Sequence, residues 1–307
     1  MKVVAGVDIG GTNTKIGLVN EDGKIFKHTR FSTVACGTYE VFIDKIGSEI
    51  RNMLEIDQEL GGIGIGAPNG NFFSGAVEFA PNMPFKGLLP IRDSLQKSFD
   101  CPIVLTNDAN AAAVGEKLYG GAKDYNDFIV ITLGTGVGSG IYCNGQLVYG
   151  HDGFAGELGH VIVFPGGRLC GCGRKGCLEP YGNERGIQQT FNELKTLYPN
   201  SSILQESAIN AKVIATHAHQ GDKLGIEVFK KTGEYLGFAF ANFMAFLSPK
   251  AIFLYGGISH AGELLRQPLI AEMERNMLNI FQNKLEICFS ELPDDDSAIL
   301  GAAAMVG

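Results

Sequence analysis

Four side chains in the middle of the chain could together bind one metal ion. They supply one imidazole and three thiolates, which is the ligand set of a structural zinc site. The four residues are His160, Cys170, Cys172 and Cys177. A disulfide is the competing interpretation, but Cys-x-Cys is a poor disulfide spacing. Because four protein ligands leave no coordination position open, we predict structural Zn²⁺ rather than a catalytic metal.

Two glycine-rich turns could bind phosphate groups. Glycine lets backbone N–H groups approach phosphate oxygens, and threonine adds a hydroxyl donor. The turns comprise residues 8–12 (Asp-Ile-Gly-Gly-Thr) and residues 133–136 (Leu-Gly-Thr-Gly). Neither has the Walker pattern, and neither is a Rossmann fingerprint, because each leads into a predicted strand rather than a helix. Plain hairpin geometry is the alternative for either turn alone, whereas two such turns in a repeated frame favour phosphate binding.

Asn107 and Asp108 lie between a predicted strand, Ile103–Thr106, and an alanine-rich predicted helix, Ala109–Leu118. At such a junction, an asparagine–aspartate pair usually caps the helix. A carboxylate can also accept the proton of a hydroxyl group as that group attacks a phosphoryl group. The junction is therefore a candidate for capping and for catalysis.

The same order of elements occurs twice and would position these residues. An apolar strand leads to a glycine/threonine turn, a second strand, an Asx-Gly turn and a third strand, and the Asx-Gly pair is a strong hairpin signal. The first copy has strands at Val3–Ile9, at Thr14–Val19 and from Lys24 onward. The second has strands at Phe128–Leu133, at Ser139–Cys143 and up to Tyr149. This repeat predicts two similar lobes with a ligand-binding cleft between them.

Helices are predicted between and after these strands, so the fold class is α/β. Apolar residues recur at helical spacing at positions 42, 46, 50 and 53, and again at 88, 91 and 95. Further helices are predicted at Gly225–Leu247 and Glu263–Phe281, with a strand at Ala251–Tyr255 between them. A final helix through Met305 is predicted to start at the acidic residues 294–296, which favour a helix N-terminus.

The composition excludes several classes of protein. The chain has 307 residues and a net charge of −8 without a run of Lys or Arg, which argues against a nucleic-acid-binding surface. Its longest apolar stretch, Tyr235–Leu247, is too short to span a bilayer. The N-terminus lacks a signal-peptide layout, and we predict a cytoplasmic protein whose seven cysteines stay reduced.

Five motifs, in this order, resemble those of the ROK family of sugar kinases and sugar-responsive repressors, members of the actin/hexokinase superfamily. They comprise residues 8–12, 107–110, 133–138, 157–160 and 170–179, and the likeness continues through residues 256–257 to 300–303. The resemblance implies a two-lobe, actin-like or hexokinase-type ATPase fold, built from duplicated ribonuclease H-like domains with an inter-lobe cleft. We predict that residues 1–106 and 295–307 form a small N-terminal lobe and that residues 107–294 form a large lobe.

The resemblance assigns the residues of phosphoryl transfer. Asp108 would be the general base for the sugar's 6-hydroxyl, Asn107 would bind a neighbouring hydroxyl, and Asp8 would hold Mg²⁺ through water. The remaining ATP-binding residues lie in or beside the two turns and in a later glycine pair. They are Gly10, Gly11, Thr12, Lys15, Gly134, Thr135, Gly136, Gly256 and Gly257.

The resemblance also assigns the sugar-hydroxyl ligands Glu157, His160 and Glu179, with Asn82 on the opposite rim. Glu157 and His160 would share one face of a single helical turn. Many relatives have glycine directly after the proline of the rim segment, whereas this chain has asparagine at position 69. This departure concerns the contacts that select the sugar.

One hypothesis connects the metal with the sugar. His160 has two ring nitrogens, so one can bind Zn²⁺ while the other faces a sugar hydroxyl. Glu179 follows Cys177 closely and would be anchored by the same loop. The zinc would then order the sugar pocket without touching ATP.

We predict an ATP-dependent hexokinase for a glucose-type sugar. N-acetylmannosamine, N-acetylglucosamine, fructose and allose are alternative acceptors, because the contacts of one hydroxyl decide among them, and polyphosphate is an alternative donor. A sugar-sensing transcriptional regulator is the alternative of another class. Family repressors carry a winged helix before this region, whereas the first strand here is predicted from Val3, and Asp8 and Asp108 are both retained. The resemblance also implies a homo-oligomer, a dimer or tetramer, whose partners are sugar and ATP rather than nucleic acid or membrane.

Overall fold

Two five-stranded sheets form the framework of the computed structural model, which describes residues 1–293 and 297–306. In each sheet, three antiparallel strands that follow one another in sequence are extended by two parallel strands from later in the chain. Both sheets have the strand order third, second, first, fourth, fifth. This shared order confirms the predicted repeat of elements.

The elements up to the third helix contain the first sheet and a small antiparallel sheet beside it. In chain order they are β1 (Lys2–Ile9), β2 (Asn13–Val19), β3 (Ile25–Ser32), α1 (Tyr39–Met53), β4 (Glu59–Gly66), β5 (Gly70–Asn71), β6 (Ala76–Glu78), β7 (Leu88–Leu89), α2 (Ile91–Gln96), β8 (Ile103–Thr106) and α3 (Asp108–Leu118). The first sheet has the order β3-β2-β1-β4-β8, and β5, β6 and β7 form the small sheet.

The later elements contain the second sheet and most of the helices. In chain order they are β9 (Phe128–Leu133), β10 (Val137–Cys143), β11 (Gln146–Leu147), α4 (Glu179–Gly182), α5 (Glu184–Leu194), α6 (Ala211–His219), α7 (Lys223–Leu247), β12 (Ala251–Tyr255), α8 (Glu263–Asn276), β13 (Glu286–Phe289) and α9 (Ser297–Ala304). The second sheet has the order β11-β10-β9-β12-β13. Short 3-10 turns lie at Val34–Cys36, Leu158–His160, Lys195–Leu197, Ser202–Gln205, Gly257–Ala261 and Asn279–Phe281.

Local sequence explains the boundaries of the main helices. Helix α1 begins after Thr38, whose hydroxyl accepts a hydrogen bond from the Val41 N–H, and it buries the apolar face predicted from its spacing. Helix α7 begins after Asp222, whose carboxylate accepts from two N–H groups of the first turn. It ends at Ser248, which has a left-handed backbone (φ 45°) directly before Pro249.

Several predicted boundaries differ from the structure. Leu88 lies in β7 rather than in a helix, because the residue before Pro90 is disfavoured in the helical conformation and α2 starts only at Ile91. The helix predicted over residues 263–281 ends at Asn276, since Met277 is extended. The third strand of the second repeat ends before residue 149. Residues 294–296, predicted to start the last helix, lie outside the described residues.

Two helices connect the sheets, because each follows a strand of one sheet and packs against the other sheet. Helix α3 follows β8 of the first sheet yet packs on the second, where a Cβ atom added to Gly140 would lie 2.6 Å from Cβ of Ala113. Helix α9 follows the last strand of the second sheet and packs on the first, where a side chain on Gly6 would overlap the backbone of the helix. The two helices pack closely through glycines, because a Cβ atom added to Gly115 would lie 2.9 Å from Cα of Gly301, and one added to Gly301 would lie 2.4 Å from the Ala111 carbonyl oxygen. This packing joins the two lobes.

We call the first sheet with the helices packed on it the first lobe and the second sheet with its helices the second lobe, and each lobe has its own apolar core. In the first lobe, Phe42 and Ile46 of α1 are fully buried against the sheet. In the second lobe, Phe240 of α7 and Leu269 of α8 are fully buried in the layer beneath the sheet. Burial of side chains of this size stabilises the fold by about 1.5–3 kcal/mol each. None of the described helices is both long enough and apolar enough to cross a bilayer.

Candidate active site

The strand ends of the first sheet bring Asp8 and Asp108 into one cleft. Asp8 lies near the carboxyl end of β1, opposite Lys15 on β2 and Gly66 on β4. Gly66 also borders the start of α3, because a Cβ atom added to it would lie 3.7 Å from Cα of Asp108. In open α/β sheets, the carboxyl ends of the strands are the usual place for a ligand. Both predicted acidic residues therefore lie at one site.

The charge of Asp108 disfavours the negative charge of Asp8. Burial raises the pKa of Asp8 to about 6, and the charge of Asp108 adds to this increase while Lys15 opposes it. Protein atoms packed around Asp108 partly desolvate its carboxylate and raise its pKa, although the side chain keeps solvent-accessible surface. The Ala109 N–H donates to its Oδ1 at 2.9 Å and opposes the increase. A divalent cation near Asp8 would relieve this repulsion, so the arrangement suits Mg²⁺.

Asn107 and Asp108 differ in their contacts at the start of helix α3. Oδ1 of Asn107 accepts a hydrogen bond from the Asn110 N–H at 2.6 Å, which is the N-cap contact of α3. Asp108 is the first residue of the helix and remains accessible to solvent from the cleft. The capping interpretation is therefore confirmed for Asn107. The Asp108 side chain is exposed, and its catalytic role stays a prediction.

Buried hydroxyl groups hold the first glycine turn in shape. The Thr33 hydroxyl donates to the Gly10 carbonyl oxygen at 2.8 Å and lies 2.9 Å from the Thr14 hydroxyl, and both threonines are fully buried. The Gly10 N–H donates to the Asn13 carbonyl oxygen at 2.9 Å. Neither threonine was predicted from the sequence, because the two residues are brought together by pairing of β2 with β3 rather than by a local motif.

The first turn also positions the rim segment that carries Asn82. A Cβ atom added to Gly11 would overlap the Asn82 carbonyl oxygen, so only glycine allows this approach. Thr12 is exposed, and its carbonyl oxygen accepts from the Thr33 N–H at 2.9 Å. The structure thus brings the predicted rim residue to the predicted phosphate turn.

The second glycine turn is held by the segment that follows the cysteines. Three hydrogen bonds join them: Val137 N–H to Glu179 Oε2 (3.3 Å), the Asn183 side-chain amide to the Thr135 carbonyl oxygen (3.0 Å) and Glu184 N–H to the Gly134 carbonyl oxygen (2.9 Å). Gly136 is part of the same contact, since a Cβ atom added to it would lie 2.9 Å from Glu179 Oε2. Asn183 was not predicted as a site residue, because its position at the start of α5 signals only a helix cap.

Gly256 and Gly257 lie beside the second turn. Gly256 has a φ of 97°, and a Cβ atom added to it would lie 2.6 Å from the Leu133 carbonyl oxygen at the end of β9. Among the described atoms, none lies within 4 Å of a Cβ built on Gly134 or Gly257. The turn and the glycine pair therefore border open space in which a nucleotide could lie.

Glu157 and His160 lie on one short turn, as predicted. Glu157 precedes the 3-10 turn Leu158–His160, and its Oε2 lies 4.0 Å from His160 Nε2. Burial raises the pKa of Glu157, His160 opposes the increase, and the charges of Asp108 and Glu179 add to it. Glu157 is thus within electrostatic reach of Asp108 and Glu179, so the predicted sugar ligands of this lobe share one region.

The predicted metal ligands form one cluster. The donor atoms of His160, Cys170, Cys172 and Cys177 all lie within 4.8 Å of one another. The Cys172 and Cys177 sulfurs are 3.7 Å apart, far beyond a disulfide bond of about 2.05 Å. Around a tetrahedral Zn²⁺ with bonds of about 2.3 Å to sulfur and about 2.0 Å to nitrogen, ligand atoms lie roughly 3.5–3.8 Å apart. The S–S separation of 3.7 Å and the separation of 3.5 Å between His160 Nδ1 and Cys170 Sγ both fit this geometry.

Arg168 fixes the cysteine loop to helix α5. Its side chain is only 7% exposed and lies over the rings of Tyr181 and Tyr235, with the guanidinium carbon 4.7 and 5.5 Å from the ring centres. The guanidinium donates to the carbonyl oxygens of Pro180 and Gly186 and to the side chains of Thr190 and Glu193. Arg168 was not predicted from the sequence, since a single arginine in a glycine-rich loop carries no spacing signal.

A second set of contacts joins the lobes across the cleft. The Asn71 side-chain amide, on β5, donates to the Asp152 carbonyl oxygen at 2.7 Å, and Asn71 is 4% exposed. Next to it, the rings of Phe72 and Tyr149 stack with centres 4.1 Å apart. The loop that carries Tyr149 and Asp152 leads directly to Glu157, so the first lobe helps to fix that residue.

Comparison with known proteins gives one consistent relationship. The sequence profile that describes the ROK family matches residues 4–307. A glucokinase of Thermotoga maritima is 35% identical over 98% of this chain and 96% of that protein. A xylose repressor of Bacillus subtilis is 28% identical over 98% of this chain and 76% of that protein.

The solved structures agree in fold. A ROK family glucokinase of Streptomyces griseus, crystallised with glucose and AMPPNP, superposes with a TM-score of 0.84 at 31% identity over 99% of this chain and 98% of that one. This likeness confirms the predicted two-lobe fold of the actin/hexokinase type.

Proposed function

The chain belongs to the ROK family and is a sugar kinase, and we propose that it transfers the γ-phosphate of ATP to the 6-hydroxyl of a glucose-type hexose. The observation that carries this proposal is the accessible Asp108 carboxylate, which lies beside Asp8 and the first glycine turn and within electrostatic reach of Glu157. A general base, a cation site and polar sugar ligands thus occupy one cleft.

Asp108 acts as the general base in this proposal. It accepts the proton of the 6-hydroxyl as that oxygen forms a bond to the γ-phosphorus, while the bond from the γ-phosphorus to the bridging oxygen breaks and ADP leaves. Positioning and charge neutralisation supply most of the rate in such chemistry, so no covalent enzyme intermediate is needed. The other sugar hydroxyls are held by residues from both lobes: Asn82, Asn107, Glu157, His160 and Glu179.

The glycine turns hold the phosphate groups of ATP through their backbone N–H groups, with Lys15 beside the first turn. Asp8 would hold Mg²⁺, and bound Mg²⁺ would neutralise charge on the phosphate oxygens. The raised pKa of Asp8 supports this role, because burial and the nearby charge of Asp108 both disfavour its negative charge, and a bound cation would offset both effects. Gly256 and Gly257 border the space for the adenosine moiety.

The Cys/His cluster would hold structural Zn²⁺ through His160 Nδ1 and the three cysteine sulfurs. His160 Nδ1 lies 3.5 Å from Cys170 Sγ, whereas Nε2 lies on the side of Glu157, so the ring can bind metal and still face the sugar. The ion would order the loop and thereby the sugar pocket. Because thiolates must stay reduced to bind metal, we also place the protein in the cytoplasm.

The substrate is tested by measuring ADP release from Mg·ATP with a panel of sugars. We expect the highest kcat/KM with glucose, and lower values with N-acetylglucosamine, N-acetylmannosamine, fructose and allose. Turnover with an N-acetylated sugar alone would keep the mechanism and reassign the substrate. Replacing ATP by polyphosphate in the same assay tests the donor, and we expect ATP to be used.

A sugar-sensing regulator is the second candidate function, and the likeness to the xylose repressor of Bacillus subtilis favours it. The two functions make opposite predictions. A kinase turns over the sugar that it binds, whereas a sensor binds sugar without releasing ADP. Binding of glucose in calorimetry without turnover would therefore replace the proposal by the sensor.

Assembly belongs to the proposal as well. We propose a homo-oligomer, a dimer or tetramer, that binds sugar and ATP and neither nucleic acid nor membrane, in keeping with the net charge of −8. Light scattering after size-exclusion chromatography measures the molar mass directly, and a monomer would contradict the assembly.

A further inference from the structure

One short segment connects the metal cluster with the second glycine turn. Residues 177–184 begin at a metal ligand, Cys177, and end at the N-terminus of α5. Three residues of this segment, Glu179, Asn183 and Glu184, make the three hydrogen bonds that hold residues 134–137. The cluster and the turn are therefore joined through a single short stretch of chain.

The connecting segment is buried and hydrogen-bonded at both ends. Leu178 is fully buried, and its N–H donates to the Val161 carbonyl oxygen at 3.0 Å, directly after the metal ligand His160. The Asn183 N–H donates to the Glu179 carbonyl oxygen at 3.0 Å, which closes the short helix α4. A buried and internally hydrogen-bonded segment transmits a shift at one end to the other end instead of absorbing it.

We propose that a metal ion in the Cys/His cluster and the phosphate groups of a nucleotide at residues 134–137 bind cooperatively, with Asn183 as the positioning residue between them. This inference rests on the proposed function, in that it takes the second turn as a phosphate site. It extends the role of the metal from the sugar pocket to the nucleotide. By linkage, nucleotide must then stabilise the bound metal by the same factor by which metal strengthens nucleotide binding.

Asn183 is the residue whose contribution can be isolated. Its side chain is 5% exposed, and both polar atoms of the amide are hydrogen-bonded. Oδ1 accepts from the Gly186 N–H at 2.8 Å, and the amide nitrogen donates to the Thr135 carbonyl oxygen at 3.0 Å. Aspartate is as good a helix cap as asparagine but has no amide donor. Asn183→Asp therefore keeps the cap of α5 and removes the bond to the turn.

The chain offers a matched control at Asn210. This residue caps α6, where its Oδ1 accepts from the Val213 N–H at 2.9 Å. No hydrogen bond joins it to the second turn among the described residues. Asn210→Asp thus makes the same chemical change at a helix cap outside the connection.

The experiment measures how fast zinc leaves the zinc-loaded protein for the chromogenic chelator pyridylazoresorcinol, with and without saturating Mg·AMPPNP. AMP replaces AMPPNP as a control that has adenosine but lacks the β- and γ-phosphates. We expect AMPPNP to slow zinc release at least about 5-fold, the low end of usual coupling factors, in wild type and in Asn210→Asp. In Asn183→Asp, and in Asn183→Ser as a second cap-retaining variant, the nucleotide should change the rate less than about 2-fold.

Calorimetry of Mg·AMPPNP with the same samples separates cooperativity from nucleotide binding itself. If AMPPNP binds wild type but leaves both the rate of zinc release and the equilibrium transfer of zinc to the chelator unchanged, cooperativity is absent and the proposed function stands. If AMPPNP slows release equally in Asn183→Asp and wild type, the assignment to Asn183 is wrong. If AMPPNP does not bind at all, the proposed function fails and this inference fails with it.

Discussion

At the scale of single residues, the folded protein disfavours the ionised form of Asp8. Burial and the neighbouring Asp108 raise its pKa from 3.8 to about 6. For an acid whose folded-state pKa is raised, the contribution to stability is largest at low pH and is lost as the pH rises from the unfolded pKa through the folded pKa. Asp8 therefore costs stability at neutral pH, and we interpret that cost as the consequence of a preformed cation site.

The first prediction follows from this repulsion. Asp108→Asn removes one of the two charges and lowers the pKa of Asp8, so the free protein should be more stable than wild type at pH 7, on the order of 1 kcal/mol. At pH 4 the difference should shrink, because Asp8 is then largely protonated in both proteins. Urea unfolding in the absence of Mg²⁺ measures both values.

Asp57→Asn provides the control, since Asp57 is exposed and its carboxylate has no partner among the described residues. That variant should match wild type at both pH values. An Asp108→Asn protein that is less stable than wild type at pH 7 would contradict the electrostatic account of the cleft.

At the scale of elements, the first glycine turn depends on a hydroxyl pair between β2 and β3. Thr33→Val keeps the side-chain volume but removes the hydrogen bond to Gly10 and leaves the buried Thr14 hydroxyl without its partner. We expect a loss of about 1–3 kcal/mol in the free energy of unfolding. Because the turn binds phosphate in our account, KM for ATP should rise while KM for the sugar changes little.

A double variant separates the two effects of that change. Thr14→Val with Thr33→Val removes both hydroxyls, which is often nearly neutral for stability. Stability should therefore recover in part, whereas the raised KM for ATP should remain, since Gly10 still lacks its donor. Recovery of both quantities would mean that the turn does not need the hydrogen bond.

The cysteine loop depends in the same way on Arg168, which ties it to α5. Arg168→Met retains an apolar stem of similar length but loses four hydrogen bonds and the stacking on Tyr181. We expect the protein to lose about 2–4 kcal/mol of stability and to release zinc faster than wild type.

Lys175→Met is the matched control, because Lys175 is exposed in the same loop. It should leave stability and zinc release close to wild type. Equal behaviour of the two variants in thermal unfolding would contradict the anchoring role of Arg168.

At the scale of the whole molecule, the lobes are joined where α3 crosses α9 and where Asn71 and Phe72 meet the second lobe. The crossing requires Gly115 and Gly301, whose backbones approach too closely for larger residues. The cross-cleft contacts of Asn71 and Phe72 lie beside the loop that carries Glu157. We expect relative motion of the lobes to turn about these helices, and the closure over a sugar that we propose to change the outer contacts.

Substitution at the crossing tests this coupling. In Gly115→Ala the added Cβ would lie 2.9 Å from Cα of Gly301, so the helices must separate, and we expect a loss of about 1–3 kcal/mol in stability. Gly47→Ala, in α1, adds a Cβ with only ordinary contacts at 3.5 Å and should stabilise by about 0.5–1 kcal/mol. Urea unfolding of both variants measures two shifts of opposite sign, and a stabilised Gly115→Ala would contradict the tight crossing.

The features that could be predicted from the sequence are those carried by neighbouring residues. The turns at 8–12 and 133–136, the cap at Asn107 and the cysteine spacing are local, and the repeat of strands around them indicated both sheets. The family resemblance then assigned roles to Asp108 and Glu157 that spacing alone left open.

The features that could not be predicted depend on contacts between distant segments. Thr33 reaches Gly10 only through strand pairing, Arg168 reaches α5 only through loop folding, and Asn183 has the sequence signature of an ordinary helix cap. The close approach at Gly115 and Gly301 is likewise set by packing of helices far apart in the chain. A single sequence has no local signal for such pairs.

The role of Asp108 is the central claim, and steady-state turnover of Mg·ATP and glucose by Asp108→Asn tests it most directly, with glucose binding measured by calorimetry on the same protein. The account predicts that kcat falls by about 10²–10⁴, the usual contribution of a general base, while the Kd for glucose stays within a few-fold of wild type. A kcat within about tenfold of wild type would contradict the assignment of Asp108 as the base.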